Sequence, residues 1–396
     1  MTKPEQQGPT RRMILRTGGA AALVTIAAGA GLGGYAWWPG TASATEPWRA
    51  AGGSFGDARL DALAFAILAP NPHNRQPWRY ALVGTDRIDV TCDLQRRLPA
   101  TDPFDRQITV GFGAMLELLR IAAAEKGYHT EIALFPDGEP QPRLDARRLA
   151  SVRLVRDPTV VPDPLAAQML ARRSTKTAYD AARPVSDATL SALLLVGDGA
   201  ALRVNGTVEP ATVAALKSQT WAAWMTEWET AATRRESIDL MRIGNAEVAA
   251  NPDGIELGGT MMGLGGLAGV VTREEMDRPG STGYQQGMTM FEPILKSAQG
   301  HVWLITPDAS RESQIEAGRV WLRLNLTAQQ MGVAIHPLSQ ALQEFPEMAT
   351  HYQAVHRAVG AVAGEVVQML GRIGYAEFPQ PTPRWPMRSH LVNQEA

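Results

Sequence analysis

The chain has 396 residues and 45% hydrophobic content, enough to bury one large core or two moderate ones. Its formal net charge is −2, and no long basic stretch lies outside the N-terminus, which argues against nucleic-acid binding, where Lys and Arg must cluster against phosphates. Cys92 is the only cysteine, so neither an intrachain disulfide nor a cysteine-based zinc cage can form, and it reads as a small strand residue.

The first 44 residues read as an address. Thr10-Arg11-Arg12-Met13-Ile14-Leu15-Arg16 precedes an uncharged, Ala- and Gly-rich stretch from Thr17 to Gly34, and Ala42-Ser43-Ala44 supplies small residues at signal-peptidase spacing. The paired arginines and the weakly apolar stretch resemble a twin-arginine (Tat) signal, which implies the Tat export machinery as a partner, a folded cargo and a periplasmic or otherwise exported location. The alternative is a retained N-terminal membrane anchor. Its 18 apolar residues are marginal for a span, with Tyr35, Trp37 and Trp38 at the interface.

Beyond the signal, Asp57 to Leu68 has helical spacing and stops at Ala69-Pro70-Asn71-Pro72. Arg79–Val83 and Arg87–Cys92 form a hairpin around Gly84-Thr85-Asp86. Asp102 caps a helix with Pro103 at its first position, and the stripe Ile108, Phe112, Leu116, Leu119, Ala123 runs to Gly127. Strands follow near Glu131–Phe135 and Ser151–Val155, then a linker from Asp157 to Pro164. Leu165–Arg173 reads as helical, Ser186 caps a helix through Leu195, and Glu209–Ala232 is a longer helix whose Trp221, Trp224 and Trp228 are core residues. Pro252–Gly287 reads as loop or broken helix, and His301–Thr306 as a strand. Asp308 or Ser310 caps a last long helix carrying Ile315, Trp321, Leu324, Ala328 and Met331, which ends at Gly332. This helix lies on the earlier one at an offset of 205 residues: Gly113 meets Gly318, Leu119 meets Leu324, Ala123 meets Ala328 and Gly127 meets Gly332. Such self-similarity hints at duplication.

Three segments carry chemistry. Asn71, Asn74 and Gln76 lie in the proline-stiffened run Ala69-Pro70-Asn71-Pro72-His73-Asn74-Arg75-Gln76-Pro77-Trp78, and their amides both donate and accept. Arg172-Arg173-Ser174-Thr175-Lys176-Thr177-Ala178-Tyr179-Asp180 gathers three cations and two hydroxyls into its first five residues, an anion site. The tail from Leu370-Gly371-Arg372-Ile373-Gly374-Tyr375 to Thr382-Pro383-Arg384-Trp385-Pro386 holds one arginine in a stiff frame.

Asn74 through Trp78 resembles the N-x-Q-P-W motif of the nitroreductase superfamily. Arg172 through Asp180 resembles that family's opening motif, and Gly374-Tyr375 with Arg384 its C-terminal phosphate-binding arginine. Gly332–Gln340, with Pro337, Leu338 and Ser339, is similar to the family's flavin-facing loop. The motif order departs from ordinary members, because the N-x-Q-P-W loop comes first. It is similar to the Acg-type branch, in which two nitroreductase-like halves in one chain mimic a homodimer.

The resemblance implies an α+β fold with central sheets flanked by helices. It divides the chain into a signal over 1–44, a first half over 45–162 and a second half with a C-terminal arm over 163–396. It also implies one FMN per chain. Arg172, Arg173, Ser174 and Arg384 would grip the phosphate. Lys176 would lie near the flavin N1 and O2 or the ribityl chain, where a fixed cation favours the anionic reduced form. Asn71, Asn74 and Gln76 would meet the ring or ribityl edge. The flavin carries the redox chemistry, so no side chain is assigned a catalytic role.

Gly263-Leu264-Gly265-Gly266-Leu267-Ala268 matches a dinucleotide fingerprint, but no strand precedes it, and Gly258–Gly269 reads as a mobile lid. His351 and His356 are five apart, on different helix faces, so no metal site is assigned. Two functions follow from the resemblance. One is an exported FMN oxidoreductase acting on nitroaromatic, quinone-like or related small acceptors. The other is a non-catalytic FMN storage or sequestration protein. Export removes the nicotinamide pool, so a quinol or a periplasmic redox protein is the expected electron donor.

Overall fold

The computed structural model describes residues 42–259 and 271–392. The twin-arginine segment, the Gly263–Ala268 run and most of the expected lid lie outside the described residues.

Asp57 caps helix α1 (Ala58–Ala66), its carboxylate accepting the Arg59 N–H. The prolines at 70 and 72 forbid continuation. A hairpin of β1 (Trp78–Val83) and β2 (Arg87–Cys92) follows, then the long helix α2 (Arg106–Glu125), β3 (Tyr128–Leu134) and β4 (Arg148–Arg156). These four strands form an antiparallel sheet in the order β1-β2-β4-β3. After helix α3 (Asp187–Leu194) come β5 (Arg203–Thr207), helices α4 (Pro210–Glu229) and α5 (Ala231–Asp239), and a parallel pair of β6 (Met241–Ile243) and β7 (Ile255–Leu257). Strand β8 (Gly300–Thr306), the second long helix α6 (Arg311–Gln330), β9 (Ala334–Pro337), α7 (Ala349–Ala358) and β10 (Val366–Gly374) complete the main elements. The second antiparallel sheet has the order β5-β8-β10-β9.

The two sheets share one topology. In each, a hairpin-like pair is followed by a long helix and two more strands, and the last strand inserts beside the second. Where the first sheet has the turn Gly84-Thr85-Asp86, the second has residues 208–299. This insertion explains a difference in burial. Strand β2 alternates between buried and half-buried positions, as a one-faced sheet does. Strand β8 is buried at all seven positions. Val302 and Leu304 pack with α6, while Trp303 and Ile305 pack with Trp224, Trp228 and Ile238 of the insertion.

Helices α2 and α6 cross at Gly113 and Gly318, the pair matched by the 205-residue offset. A β-carbon on Gly318 would collide with the Val110 carbonyl oxygen, and one on Gly113 with that of Ile315. Only glycine permits this approach. The arginines that open the two helices also correspond at the same offset. Arg106 reaches into the second half, donating to the Leu342 and Gln368 carbonyls and pairing with Glu344 at 3.0 Å. Arg311 reaches into the first half, donating to the carbonyls of Pro140, Pro142 and Phe104.

Several boundaries differ from the sequence expectation. Helix α2 begins at Arg106, not at Pro103, because Asp105 takes a left-handed φ of 58°. Asp102 still caps it from further back, its carboxylate accepting the Gln107 and Ile108 N–H groups. The expected helix over Leu165–Arg173 is only a short 3-10 turn, Pro164–Gln168. Glu209–Ala232 breaks at the extended Thr230 into α4 and α5. Pro252–Gly287 contains β7 and short helices at Arg273–Asp277 and Thr282–Thr289.

Candidate anion site at the end of helix α1

The last carbonyls of an α-helix have no partner within it, and its C-terminus carries partial negative charge. Here two guanidiniums fill that place. Arg384, from the C-terminal arm, donates to the carbonyls of Ile67 (3.1 Å), Leu68 (3.1 Å) and Ala69 (3.2 Å), and to Asn74 Oδ1 (2.6 Å). Arg172 donates through Nη2 to Leu68 O at 3.2 Å. Its Nε and Nη1 are buried and have no hydrogen-bond partner. Arg173 is half-buried and donates to the carbonyls of Pro379, Leu170 and Arg172.

None of the three arginines pairs with a carboxylate among the described residues. The electrostatics reflect this. Burial, then Arg173, pulls Arg172 down to about 10. Burial, then Arg172 and Arg173, pulls Arg384 down to about 9. Concentrated positive charge with two open donors is a receptor for an oxyanion. Ser174, half-buried, follows directly in the chain.

The Asn71–Gln76 loop is strained. His73, Asn74 and Gln76 all have left-handed φ values, 46°, 51° and 49°. Each costs about 1 kcal/mol or more for a residue with a side chain. Hydrogen bonds hold the loop in this shape. Asn71 Oδ1 accepts the Gln76 N–H at 2.7 Å. Gln76 donates to Pro252 O at 2.8 Å and accepts the Trp385 N–H at 2.9 Å. Asn74 donates to Pro383 O at 2.9 Å. These hydrogen bonds tie the loop to the C-terminal arm and the insertion, and each amide keeps further donor and acceptor capacity beside them. Asp253 of the insertion adds ion pairs to Arg75 (2.8 Å), Arg96 (3.4 Å) and Arg242 (2.7 Å).

Lys176 brings a second set of groups together. It is exposed to solvent yet ringed by protein, and desolvation lowers its pKa against the pull of Glu256 on β7. Burial, with Lys176 and Arg75 contributing, pushes His73 down to about 4. His336 on β9 is held neutral by burial, then by Arg372 and Lys176. Arg372 Nε donates to His336 Nδ1 at 3.0 Å, which leaves Nε2 as the proton-bearing nitrogen. The same guanidinium donates to the Thr175 and Thr177 carbonyls and lies 3.8 Å from the Tyr179 ring centroid, locking the Arg172–Asp180 segment to β10. Pro337 and Ser339 are half-buried beside His336, whereas the Leu338 side chain is buried in the insertion core and its N–H donates to Leu370 O.

Sequence reasoning missed Trp48, His73, His336, Arg372 and the Pro252–Gly254 clamp. His336 stood inside a loop already singled out, so its neighbour Pro337 was the available signal. Nothing local marks Trp48.

The buried histidines give a pH prediction. His73 (about 4), His301 (about 3) and His390 (about 3), with His336 lower than usual for the same desolvation reason, stay neutral when folded. Unfolded, each titrates near 6.5, so the unfolded chain binds more protons and stability falls as pH drops below that value. Asp102 and Glu227 oppose this, because burial raises them to about 6 and about 7. Near pH 5 roughly two protons are taken up on unfolding, so the slope approaches about 2.7 kcal/mol per pH unit. Urea midpoints at pH 7, 6 and 5 should fall in that order, and a flat profile would contradict the burial of these imidazoles.

Fold and site define an α+β protein with two matched sheets and an uncompensated arginine cluster at a helix end. No protein-family profile matches the chain. The chain is similar to a Mycobacterium tuberculosis protein provisionally named an NAD(P)H nitroreductase, at 27% identity over 335 residues, 81% of this chain and 87% of that one. A second M. tuberculosis protein, provisionally named NAD(P)H nitroreductase acg, is 35% identical over 81 residues, 20% of this chain and 24% of its own length. Among solved structures, one of a provisionally named nitroreductase from Anabaena variabilis is 11% identical, with 84% of this chain and 91% of that chain covered and a TM-score of 0.44.

Proposed function

We propose that the chain is an FMN-binding oxidoreductase of the nitroreductase superfamily, acting on nitroaromatic, quinone-like or related small acceptors. The observation that carries the reading is Arg172: a buried guanidinium with two unpartnered donors, beside two further arginines that have no carboxylate partner among the described residues. A phosphate monoester fits this donor set by charge and by number of acceptors. The M. tuberculosis relatives support the class by their names. FMN, when bound, supplies the electron transfer. In this assignment Arg172 holds the phosphate and Arg384 fixes the frame around it. Lys176 provides a cation in a partly desolvated setting, and His336 offers a neutral Nε2–H. Glu256 balances Lys176 from the insertion.

The test is an absorbance spectrum of the purified chain, followed by FMN titration. One FMN per chain is expected, and a colourless protein that takes up no FMN would sink the proposal. Arg172→Ala should weaken FMN binding by about 1.5–3 kcal/mol, the scale of charged hydrogen bonds.

We infer export by the twin-arginine route from the Arg11-Arg12 segment, and with it a donor other than NAD(P)H. Ala44, the last residue of the small-residue site, is buried, and its carbonyl accepts the Arg384 N–H at 2.8 Å. A cargo that folds before export therefore shields the Ala44–Thr45 bond. Intact-protein mass spectrometry of the exported form should show that bond uncut, and anaerobic stopped-flow mixing should show no fast bleaching of FMN by NADH or NADPH. A terminus at Thr45 would refute the shielding, and reduction at tens per second, an ordinary turnover scale, would refute the donor.

A further inference from the structure

Trp48 stands outside every motif that pointed to the site. It lies in a short helix, Glu46–Ala50, and is 5% exposed. Three guanidiniums surround its ring: Arg173 at 4.7 Å from the centroid, Arg384 at 5.6 Å and Arg172 at 6.0 Å. Its indole N–H donates to Thr382 O at 2.8 Å, and two residues further on the Arg384 N–H donates back to Ala44 O. The segment 44–48 and the arm 382–384 are thus stitched together around the aromatic face.

Three like charges in a desolvated space repel one another, and no carboxylate among the described residues offsets them. Four backbone carbonyls and Asn74 Oδ1 together satisfy Arg384. Arg172 has a single hydrogen bond, so hydrogen bonding fixes only one corner of its planar fork. The negative face of an indole is the remaining attraction for these cations, and it acts on all three at once. A swivelled Arg172 would not present Nε and Nη1 in one direction.

We propose that Trp48 is a positioning residue for the phosphate-binding arginines, and that it sets the preference for a phosphorylated flavin over the same flavin without phosphate. The proposal rests on the FMN reading above. It predicts a loss confined to ligands that carry the anion.

The experiment titrates the full chain with FMN and with riboflavin, which lacks the phosphate. Trp48→Leu should weaken FMN about ten- to thirty-fold, the range of a desolvated cation–π contact, while riboflavin changes less than about three-fold. Trp48→Phe keeps an aromatic face and should recover most of the FMN affinity. A parallel measurement follows thermal stabilisation by inorganic phosphate, expected in the native chain and reduced in Trp48→Leu. Equal loss of both flavins, or loss of neither, would reduce Trp48 to a packing residue and overturn the proposal. If the native chain binds neither flavin but phosphate still stabilises it in a Trp48-dependent way, the FMN reading fails and the role of Trp48 stands. Should Trp48→Leu not fold, Trp48→Met takes its place as the non-aromatic variant: FMN weakened with riboflavin unchanged supports the proposal, and equal change in both overturns it.

Discussion

Gly318→Ala is expected to lower stability by about 3 kcal/mol or more, the upper range for forcing atoms into a packed interior. The sign is opposite to the usual effect of this substitution. In an exposed helix interior, alanine in place of glycine stabilises by about 1 kcal/mol. Here the new methyl group meets the Val110 carbonyl oxygen and lies 2.8 Å from the Gly113 Cα, both backbone atoms that no rotamer change can move. The helices must separate, and separation loosens both cores at once, because Ile315, Leu322 and Leu326 of α6 pack into the first half while Val110 of α2 packs into the second. Thermal unfolding should show a fall in Tm of roughly 5 °C or more. The double variant with Gly113→Ala should cost less than the two single losses together, since one separation relieves both collisions. A Gly318→Ala protein as stable as the native chain would mean that the helices do not approach this closely.

Arg384→Ala is expected to act twice. It strands the Ile67 carbonyl and takes one of two donors from Leu68 O, Ala69 O and Asn74 Oδ1, which keep Arg172, Asn71 and Gln76. A stranded buried acceptor costs about 1–3 kcal/mol and the three weakened ones less, so a total loss of about 2–4 kcal/mol is the expected scale. The same change removes a cation from beside the anion site and loosens the frame around Arg172, so it should also weaken FMN, by less than Arg172→Ala does. Arg384→Lys keeps the charge but cannot reach three carbonyls and an amide from one ammonium, so it should restore part of the FMN affinity and little of the stability. Limited proteolysis should cut the arm near 375–392 early in both variants. Unchanged urea midpoints and unchanged FMN affinity would show that the arm is held by other contacts.

The sequence disclosed the elements with strong local signatures. Helices α2 and α6 carry a 3.6-residue stripe over 20 residues each, and their alignment at 205 residues pointed to the pair that crosses in space. The β1–β2 hairpin was legible from its turn. Strand β5, of five residues, was not, because so short a run has no periodicity to read. The start of α2 was misplaced because Asp102 caps from outside the helix, through a left-handed Asp105 that spacing does not announce. At the site, sequence drew attention to the correct segments but not to the use of each side chain. Asn74 and Gln76 look free when read in line. Their partners, Pro383, Trp385 and Pro252, lie more than 170 residues away. Trp48 has the same explanation, since its arginines come from two other parts of the chain.

The reciprocal reach of Arg106 and Arg311 has a consequence for cooperativity. Each half supplies a helix that completes the other's interior and an arginine that closes the other's loop. Neither half should therefore fold when expressed alone, and denaturant should reveal a single transition shared by the two sheets. In an assembly of two separate chains, such an interface weakens on dilution, because mass action favours the free subunits. A covalent connection replaces that dependence with a fixed effective concentration. The midpoint of unfolding should be the same at nanomolar and micromolar protein, so the contacts between the halves stay assembled however scarce the protein becomes.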